Sequence, residues 1–392
     1  MTKSRARKKL VPAALLLVLA TFALRSPTPA VSEGLPKGLE RLSDRKVFEP
    51  QLIQDADGTL LLWREKGDKG SDLFLSRQNA EGAFTLPVQV NDLAGTVGSY
   101  PLDELRAASA QGPNGELAIS WGAAGGEIRV AISSDGGRSF APSLRLDQAD
   151  KPAYRGFPAI AFDADGSLHA VWIDARFAPK PGAEEPADLF YAKLSDAGIT
   201  EVNLTEEQDP SICGCCRLDL VTASDGVRAT FRNTTADGYR DIFTLSGEPG
   251  AGFTAPRQIG TPLWELNGCP MSGPLSSGEE ALFPDGSGGR KILMSGREDN
   301  HPAEPVFGDH ATTEWSLLYP PRPVATEDGS RQLLLVPGRP TGRLIERVDG
   351  EWKVLSSAVP KWATSATYSD GSLLVVGSPG GALQFATLNP GS

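Results

Sequence analysis

A repeated phrase constrains the fold of this chain more than any other feature. It consists of an apolar run, a turn on Asp-Gly or Asn-Gly, and a second apolar run that usually closes on an aromatic residue. Asp-Gly and Asn-Gly supply the positive φ angles that tight turns require, so each phrase predicts a β-hairpin. The closing aromatics Trp63, Trp121, Trp172 and Phe231 lie 58, 51 and 59 residues apart. A period of this size, with several strands per repeat, is typical of a β-propeller.

The second half of the repeat predicts a third strand in each blade. Asp-Leu-Phe occurs at 72–74 and 188–190, and Asp-Ile-Phe at 241–243. We assign segment 279–338 to a degenerate fifth repeat, because prolines and glycines interrupt it, and the hairpin at 364–376 to a sixth. The sequence therefore predicts an all-β fold, a six-bladed β-propeller over residues 48–392, with five or seven blades as alternatives.

The N-terminus has the layout of a secretory signal. Basic residues precede an apolar run at 10–24, and a Ser-Pro-Thr-Pro-Ala stretch follows. We therefore assign residues 1–30 to a signal peptide, with an uncleaved anchor as the alternative, and residues 31–47 to a linker or closing strand. The propeller is expected in a secreted or periplasmic, oxidising location.

Charge limits the partners. The formal net charge of -11 disfavours nucleic acid and anionic membranes, because phosphate groups are bound through a surplus of Lys and Arg. We expect a monomer that contacts no nucleic acid, and no membrane beyond the signal segment.

One hairpin carries a family resemblance. The stretch SSDGGRSF from Ser133 to Phe140 resembles an Asp-box, S-x-D-x-G-x-S-F, the hairpin signature of sialidase-like (BNR) β-propellers, and the layout matches exported bacterial members. The resemblance implies structural roles: Asp135 bonds turn amides, Gly137 takes an awkward backbone angle, and Phe140 packs between sheets.

The same resemblance would imply an exo-glycoside hydrolase of the sialidase type, but the catalytic motifs are not matched. Sialidases carry an early Phe- or Tyr-Arg-Ile-Pro motif, and none precedes Ser133; residues 154–158 (YRGFP) are a loose echo with one inserted residue. Tyr368 is interpreted as structural because it precedes a hairpin turn. Hydrolysis would require two carboxylates, or a tyrosine and a carboxylate, at a fixed separation across the sugar. The acidic residues near the predicted strand starts are Asp103, Glu104, Asp219 and Glu265.

Aligning the repeats on their turn glycines places three arginines at the start of the strand nearest the propeller axis: Arg106, Arg155 and Arg217. Together they would hold a carboxylate or sulfate by forked hydrogen bonds. The alternative is that each arginine pairs with a carboxylate between blades, such as Asp103 or Asp219.

All four cysteines fall in two short stretches one blade apart: Cys213, Cys215 and Cys216, then Cys269. Equivalent positions in adjacent blades predict that the stretches meet. Three interpretations stay open: two disulfides, one linking Cys269 to the triplet; a copper or zinc site formed by the thiolates; and a redox role for the C-x-x-C pair.

The leading functional hypothesis is binding of a small anionic or glycan ligand, or of a partner protein, at the axial mouth of the propeller. No cofactor is certain from the sequence, and copper or zinc at the cysteines is the only candidate.

Overall fold

The structure is a computed structural model that describes residues 30–31, 35–98, 107–178, 187–206, 212–223, 226–234, 238–248, 250–260, 264–266, 270, 272–289, 291–298, 301–307, 316–317, 320–326 and 329–390. Nearly all regular structure in these residues is β-strand, and the two helical segments are single 3₁₀ turns at Glu40–Leu42 and Pro379–Gly381. No helix within the described ranges is long and apolar enough to cross a membrane.

Five separate antiparallel sheets form discrete blades. Strand β1 (Ala30–Val31) belongs to the last sheet. Blade 1 contains β2 (Val47–Asp55), β3 (Gly58–Gly67), β4 (Gly70–Arg77) and β5 (Val88–Gln89), and blade 2 contains β6 (Ala108–Gln111), β7 (Leu117–Gly122), β8 (Ile128–Ser133) and β9 (Leu144–Arg145). Blade 3 contains β10 (Arg155–Phe162), β11 (Leu168–Asp174), β12 (Asp188–Ser195) and β13 (Gly198–Asn203).

Blades 4 and 5 follow the same order. Blade 4 contains β14 (Asp219–Ala223), β15 (Gly226–Arg232), β16 (Ile242–Glu248), β17 (Gly252–Phe253) and β18 (Arg257–Gln258), with β17 and β18 both paired to β16. Blade 5 contains β19 (Leu275–Ser277), β20 (Glu280–Asp285), β21 (Ile292–Gly296) and β22 (Glu304–Pro305).

The remaining strands show that the prediction of six blades is wrong. A sixth sheet has eight strands, made of two four-stranded antiparallel ladders. Between blade 5 and this sheet, β23 (Ser316–Leu317) pairs with β26 (Gly338–Arg339). One ladder contains β24 (Arg322–Thr326), β25 (Leu333–Val336), β27 (Gly342–Val348) and β28 (Glu351–Val359), and the other contains β29 (Ser365–Ser369), β30 (Ser372–Gly377), β31 (Gln384–Leu388) and β1.

A short parallel pairing joins the two ladders, with Ala325 opposite Thr367 and Thr326 opposite Tyr368. The ring of the propeller therefore consists of five separate blades and one double sheet. The stretch assigned to a degenerate fifth repeat, 279–338, contains β20 to β22 of blade 5 without its first strand β19, followed by β23 and the strands β24 and β25 of a further ladder.

The predicted hairpins form the core of the blades. Trp63, Trp121, Trp172 and Phe231 are at most 2% exposed. Three of these rings stack on a phenylalanine of the predicted third strand directly opposite: Trp63 on Phe74, Trp172 on Phe190, and Phe231 on Phe243. Stacked aromatic pairs across neighbouring strands stabilise the interior of each blade.

First strands β2 and β10 each contain a bulge that the sequence period does not show. The register shifts between Phe48 and Gln51 and between Gly156 and Ala159. A residue of positive φ followed by proline lies at each shift: Glu49 at 54° and Phe157 at 55°. An extra residue at these points changes which side chains face the axis.

The ring is closed by contacts between residues that are far apart in the sequence. Ala30 pairs with Thr387 and Val31 with Ala386, in the last sheet. The backbone N–H of Leu52 in β2 donates a buried hydrogen bond of 3.0 Å to the Ser365 hydroxyl at the start of β29. Blade 1 is therefore joined directly to the double sheet.

Candidate functional site

A channel of about 490 Å³ follows the propeller axis. Each of the five blades and each ladder of the double sheet contributes to the lining. The contributing residues belong to the first strand of that blade or ladder, or directly precede it. The lining segments are 51–54, 107–111, 157–160, 217–220, 274–275, 320–325 and Ser365. Such axial channels are where propellers gather one side chain from each blade.

Most of the channel wall is apolar or uncharged, and three described side chains carry the charge: Arg217, Asp219 and Arg322. Arg217 lies two residues before β14, and Arg322 is the first residue of β24. Because first strands of a propeller run in the same direction along the axis, the two arginines lie at the same mouth. This gives the channel a cationic rim and an apolar interior.

Asp219 begins β14 and accepts a hydrogen bond of 2.6 Å from the backbone N–H of Ser276 in blade 5. Burial raises the pKa of its carboxyl above the usual value. The Asp219 carboxyl is therefore held by the backbone of the neighbouring blade, and among the described lining residues it is outnumbered by the two arginines.

The structure describes two of the three predicted arginines and separates them. Arg106 lies outside the described residues, as do Asp103 and Glu104. Arg155 does not line the channel: its side chain is 1% exposed, bonds to Asp174 at 2.9 Å, and lies 3.6 Å from Asp147. Arg155 is therefore ion-paired, as in the alternative interpretation, but its hydrogen-bonded partner Asp174 belongs to its own blade, and the pair that crosses to blade 2 is the longer one with Asp147. Of the two described arginines of the predicted set, Arg217 lines the channel and Arg155 does not.

Two further sequence candidates lie away from the channel. Glu265 is exposed and forms an isolated bridge with Tyr239. Tyr368 lies in β29, where its ring packs under the Arg331 guanidinium at 4.6 Å, which agrees with a structural role. Arg322, by contrast, lines the channel but was not predicted from the sequence. The ladder that contains it lacks the repeated phrase, a hairpin turn followed by an apolar run that ends on an aromatic residue.

The Asp-box forms the turn between β8 and β9. The Asp135 carboxylate accepts hydrogen bonds from the Ser139 amide at 2.8 Å, the Ser139 hydroxyl at 2.6 Å and the Ser133 hydroxyl at 2.7 Å. Gly137 has a φ of 84° and Phe140 packs against the core cluster of blades 1 and 2. These contacts hold a turn, and none of these residues lines the channel.

The cysteine triplet lies in the loop that leads into β14, directly before Arg217. The Cys213 and Cys216 sulfurs are 2.9 Å apart, and the Cys215 sulfur is 3.7 Å from that of Cys213. Cys213 and Cys216 are free thiols, and each residue is 1% exposed. One sulfur from each of the three residues falls within a cluster 4.8 Å across.

The second cysteine stretch approaches the first as the repeat register predicts. The backbone N–H of Ser272 donates a hydrogen bond to the Cys216 sulfur. Gly273 lies so close to the Arg217 backbone that a Cβ at this position would be 2.0 Å from its carbonyl oxygen. Cys269 and Met271 lie outside the described residues, so the predicted bonding distance to Cys269 is not tested.

A buried guanidinium lies beside the sulfurs. Arg232 is 2% exposed and donates to the carbonyls of Ser272 and Pro284, at 2.9 and 2.8 Å, and to that of Arg240. A hydrogen bond from Cys216, together with the nearby charges of Arg240 and Arg232, lowers the pKa of Cys213 to about 6. Burial raises the pKa of Cys216.

Comparisons with known proteins support the fold. No family model matches the chain, and no curated protein matches it. An ulvan lyase of polysaccharide lyase family PL25 is similar in structure, with a TM-score of 0.53 and 11% identity over 89% of this chain and 95% of that chain. A puromycin-hydrolyzing peptidase from Mycobacterium tuberculosis has a TM-score of 0.53 and 13% identity over 88% of this chain, which spans 53% of the peptidase.

These likenesses define the class as β-propeller proteins, and at such identities they show the fold alone. The propeller neighbours are enzymes acting on polysaccharides and peptides. The sialidase-like assignment stays a prediction, since no family model matches.

Proposed function

We propose that this protein binds a small saccharide carrying a carboxylate or sulfate group at the arginine-lined mouth of its axial channel. The observation that carries the proposal is the joint placement of Arg217 and Arg322 at one mouth of a 490 Å³ channel. The N-terminal signal layout further supports action outside the cytoplasm, as a secreted or periplasmic monomer.

The channel has the size and chemistry for such a ligand. Its volume falls within the range of small-molecule sites, which combine apolar walls with a few well-placed polar groups. A guanidinium presents a planar fork of donors that matches carboxylate and sulfate oxygens. Gln51 and Gln54 also line the wall. Each side-chain amide already donates to a backbone carbonyl, that of Ala107 and of Asp55 respectively, but an amide has more than one hydrogen-bonding position and can also bond a sugar hydroxyl.

Binding is favoured over glycoside hydrolysis by the acidic residues of the channel. Hydrolysis uses two carboxyl groups, or a tyrosine and a carboxyl group, at a fixed separation across the sugar. Among the described lining residues Asp219 is the one carboxylate, and a backbone amide of the next blade already holds it. The described lining residues, which include no tyrosine, therefore offer recognition groups but neither kind of hydrolytic pair.

One structural neighbour supports the ligand class by analogy. The similar ulvan lyase propeller has been determined with bound -[GlcA(1-4)Rha3S]-, a saccharide with acidic groups. The analogy concerns the kind of ligand that a propeller of this shape can hold, and the arginines of this chain supply the specific argument.

The test is calorimetric titration of the full chain with glucuronate and with a glucuronate-containing disaccharide, using glucose and its neutral disaccharide as controls. We expect binding of the acidic sugars that weakens with salt. Arg217→Gln and Arg322→Gln should each weaken binding about 10- to 100-fold, because each removes a charge-assisted contact of about 1.5–3 kcal/mol.

Arg138→Gln is the matched control, since Arg138 is an exposed arginine paired with Asp57 on the outside of the blades. It should bind like the unmodified chain. Equal affinity for acidic and neutral sugars, or full affinity in both channel variants, would overturn the proposal.

A further inference from the structure

The loop from Cys213 to Cys216 brings two buried sulfurs together beside the channel. Cys213 and Cys216 are separated by two residues in the chain and by 2.9 Å between sulfurs. Both are free thiols and almost entirely buried. A large propeller has an ample core, so its stability does not depend on a local staple at this point.

The protein supplies a hydrogen-bond donor to each sulfur. The backbone N–H of Cys215 donates to the Cys213 sulfur, and the N–H of Ser272 donates to the Cys216 sulfur. Donors of this kind stabilise sulfur in its anionic form and fix the orientation of thiolate ligands in metal sites. The second donor comes from blade 5, so the site is completed only when blades 4 and 5 are assembled.

A buried positive charge also faces the pair. All three hydrogen bonds of the Arg232 side chain go to backbone carbonyls, so no carboxylate is bonded to it directly among the described contacts. The nearby acidic groups are Asp241 and Asp285, both buried. If two thiolates bind one monovalent metal ion, the complex has a net charge of −1. The positive charge of the Arg232 guanidinium balances it.

We propose that Cys213 and Cys216 bind one Cu(I) ion. Soft thiolate ligands select Cu(I), and Zn(II) in structural sites takes four ligands. Of the three sulfurs that the described residues place together, that of Cys215 is disulfide-bonded, which leaves the free thiols of Cys213 and Cys216; no histidine belongs to this cluster. Coordination replaces the thiol protons by Cu⁺ and transfers no electron. This inference does not depend on the axial ligand.

The ion would require a side-chain adjustment. With metal–sulfur bonds of about 2.3 Å, two sulfurs on opposite sides of one ion lie up to roughly 4.6 Å apart. Rotation about the cysteine χ1 torsions provides this opening without a change of fold. Burial argues against the rival redox role, because exchange with a partner protein requires an attacking thiolate to reach one sulfur.

The experiment titrates the full chain with Cu(I) under anaerobic, reducing conditions, in competition with a chromophoric Cu(I) chelator, and repeats the titration with Zn(II). We expect one Cu(I) per chain, with thiolate-to-copper charge-transfer absorption in the ultraviolet. X-ray absorption should show two sulfur neighbours around copper.

Two double variants test the ligands. Cys215→Ser/Cys269→Ser leaves Cys213 and Cys216 as the only thiols and should retain one Cu(I). Cys213→Ser/Cys216→Ser should lose it, with at least a 100-fold weaker affinity. Far-UV circular dichroism and thermal unfolding show that each variant is folded.

Three results would overturn the proposal. They are unchanged Cu(I) binding without Cys213 and Cys216, a preference for Zn(II), and alkylation of the chain, purified without reductant and then unfolded, that finds neither free thiols nor copper. The last result would assign these cysteines to a disulfide. If Cys213→Ser/Cys216→Ser fails to fold, the Cu(I) stoichiometry and the number of sulfur neighbours of copper in Cys215→Ser/Cys269→Ser decide the question.

Discussion

At the scale of single residues, Asp135 shows how one carboxylate can fix a turn. Its oxygens accept from the amide and hydroxyl of Ser139 and from the hydroxyl of Ser133. The hydrogen bond from the Ser139 hydroxyl is the main reason that the pKa of Asp135 is lowered from 3.8 to about 2. The turn therefore depends on the ionised carboxylate.

Asp135→Ala should lower the free energy of unfolding by about 1–2 kcal/mol at pH 7. A carboxyl whose folded pKa is depressed stabilises the fold above its unfolded pKa, and this contribution is lost as pH falls through the folded value. The difference between variant and unmodified chain in urea unfolding should thus narrow between pH 5 and pH 2. Asp150→Ala, at an exposed position, is the control. If the difference in free energy of unfolding between Asp135→Ala and the unmodified chain stays constant with pH, the ionised carboxylate does not stabilise the turn.

Arg155 shows why a residue can be placed near the axis by sequence and still miss the channel. It begins β10 just before the bulge at Gly156 to Ala159, and Phe157, not Arg155, faces the channel. The Arg155 side chain is held instead by Asp174, on the neighbouring strand. A bulge of this kind depends on tertiary pairing, which the repeat period does not encode.

At the scale of elements, blades 4 and 5 meet at Gly273. A Cβ there would lie 2.0 Å from the Arg217 carbonyl oxygen and 2.6 Å from its carbonyl carbon, so the backbones would have to separate. Gly273→Ala should cost about 3 kcal/mol of stability, as overpacking against backbone does. It should also weaken acidic-sugar binding, because Arg217 would move.

Gly288→Ala is the matched control in the same blade, since a Cβ at that glycine meets nothing within 4 Å. It should change stability by less than about 0.5 kcal/mol in the same thermal unfolding measurement. Equal stability of the two variants would show that the blades can part at this point without cost.

The sequence predicted strands correctly where a hairpin turn is followed by a strand that ends on an aromatic residue. It failed where the turn is present but the closing aromatic is not. Trp63 and Trp172 follow a hairpin turn directly, and both lie in the second strands of their blades. The ladder from β24 to β28 does have a turn glycine of positive φ, Gly329, 51 residues after Gly278. Its second strand ends at Val336 instead of an aromatic, so the phrase was not recognised.

At the scale of the whole molecule, sequence predicted the propeller and the meeting of the two cysteine stretches, because both follow from the period. The channel chemistry could not be predicted in full, because it depends on which ladder contributes Arg322 and on how the ring closes. Closure is a long-range property: Leu52 and Ser365 are 313 residues apart in the chain. No local pattern specifies such a contact.

Ser365→Ala tests this closure. The Leu52 N–H would lose its buried acceptor, which should cost about 1–3 kcal/mol. Because each blade buries its faces against its neighbours, we expect one cooperative transition at a lower denaturant concentration, with tryptophan fluorescence and far-UV circular dichroism coinciding. Ser372→Ala is the control in the same sheet, since its hydroxyl makes only an exposed bond to Asn389. Two separate transitions in Ser365→Ala would instead show that the double sheet unfolds independently of blade 1, as in a repeat array whose neighbours are weakly coupled.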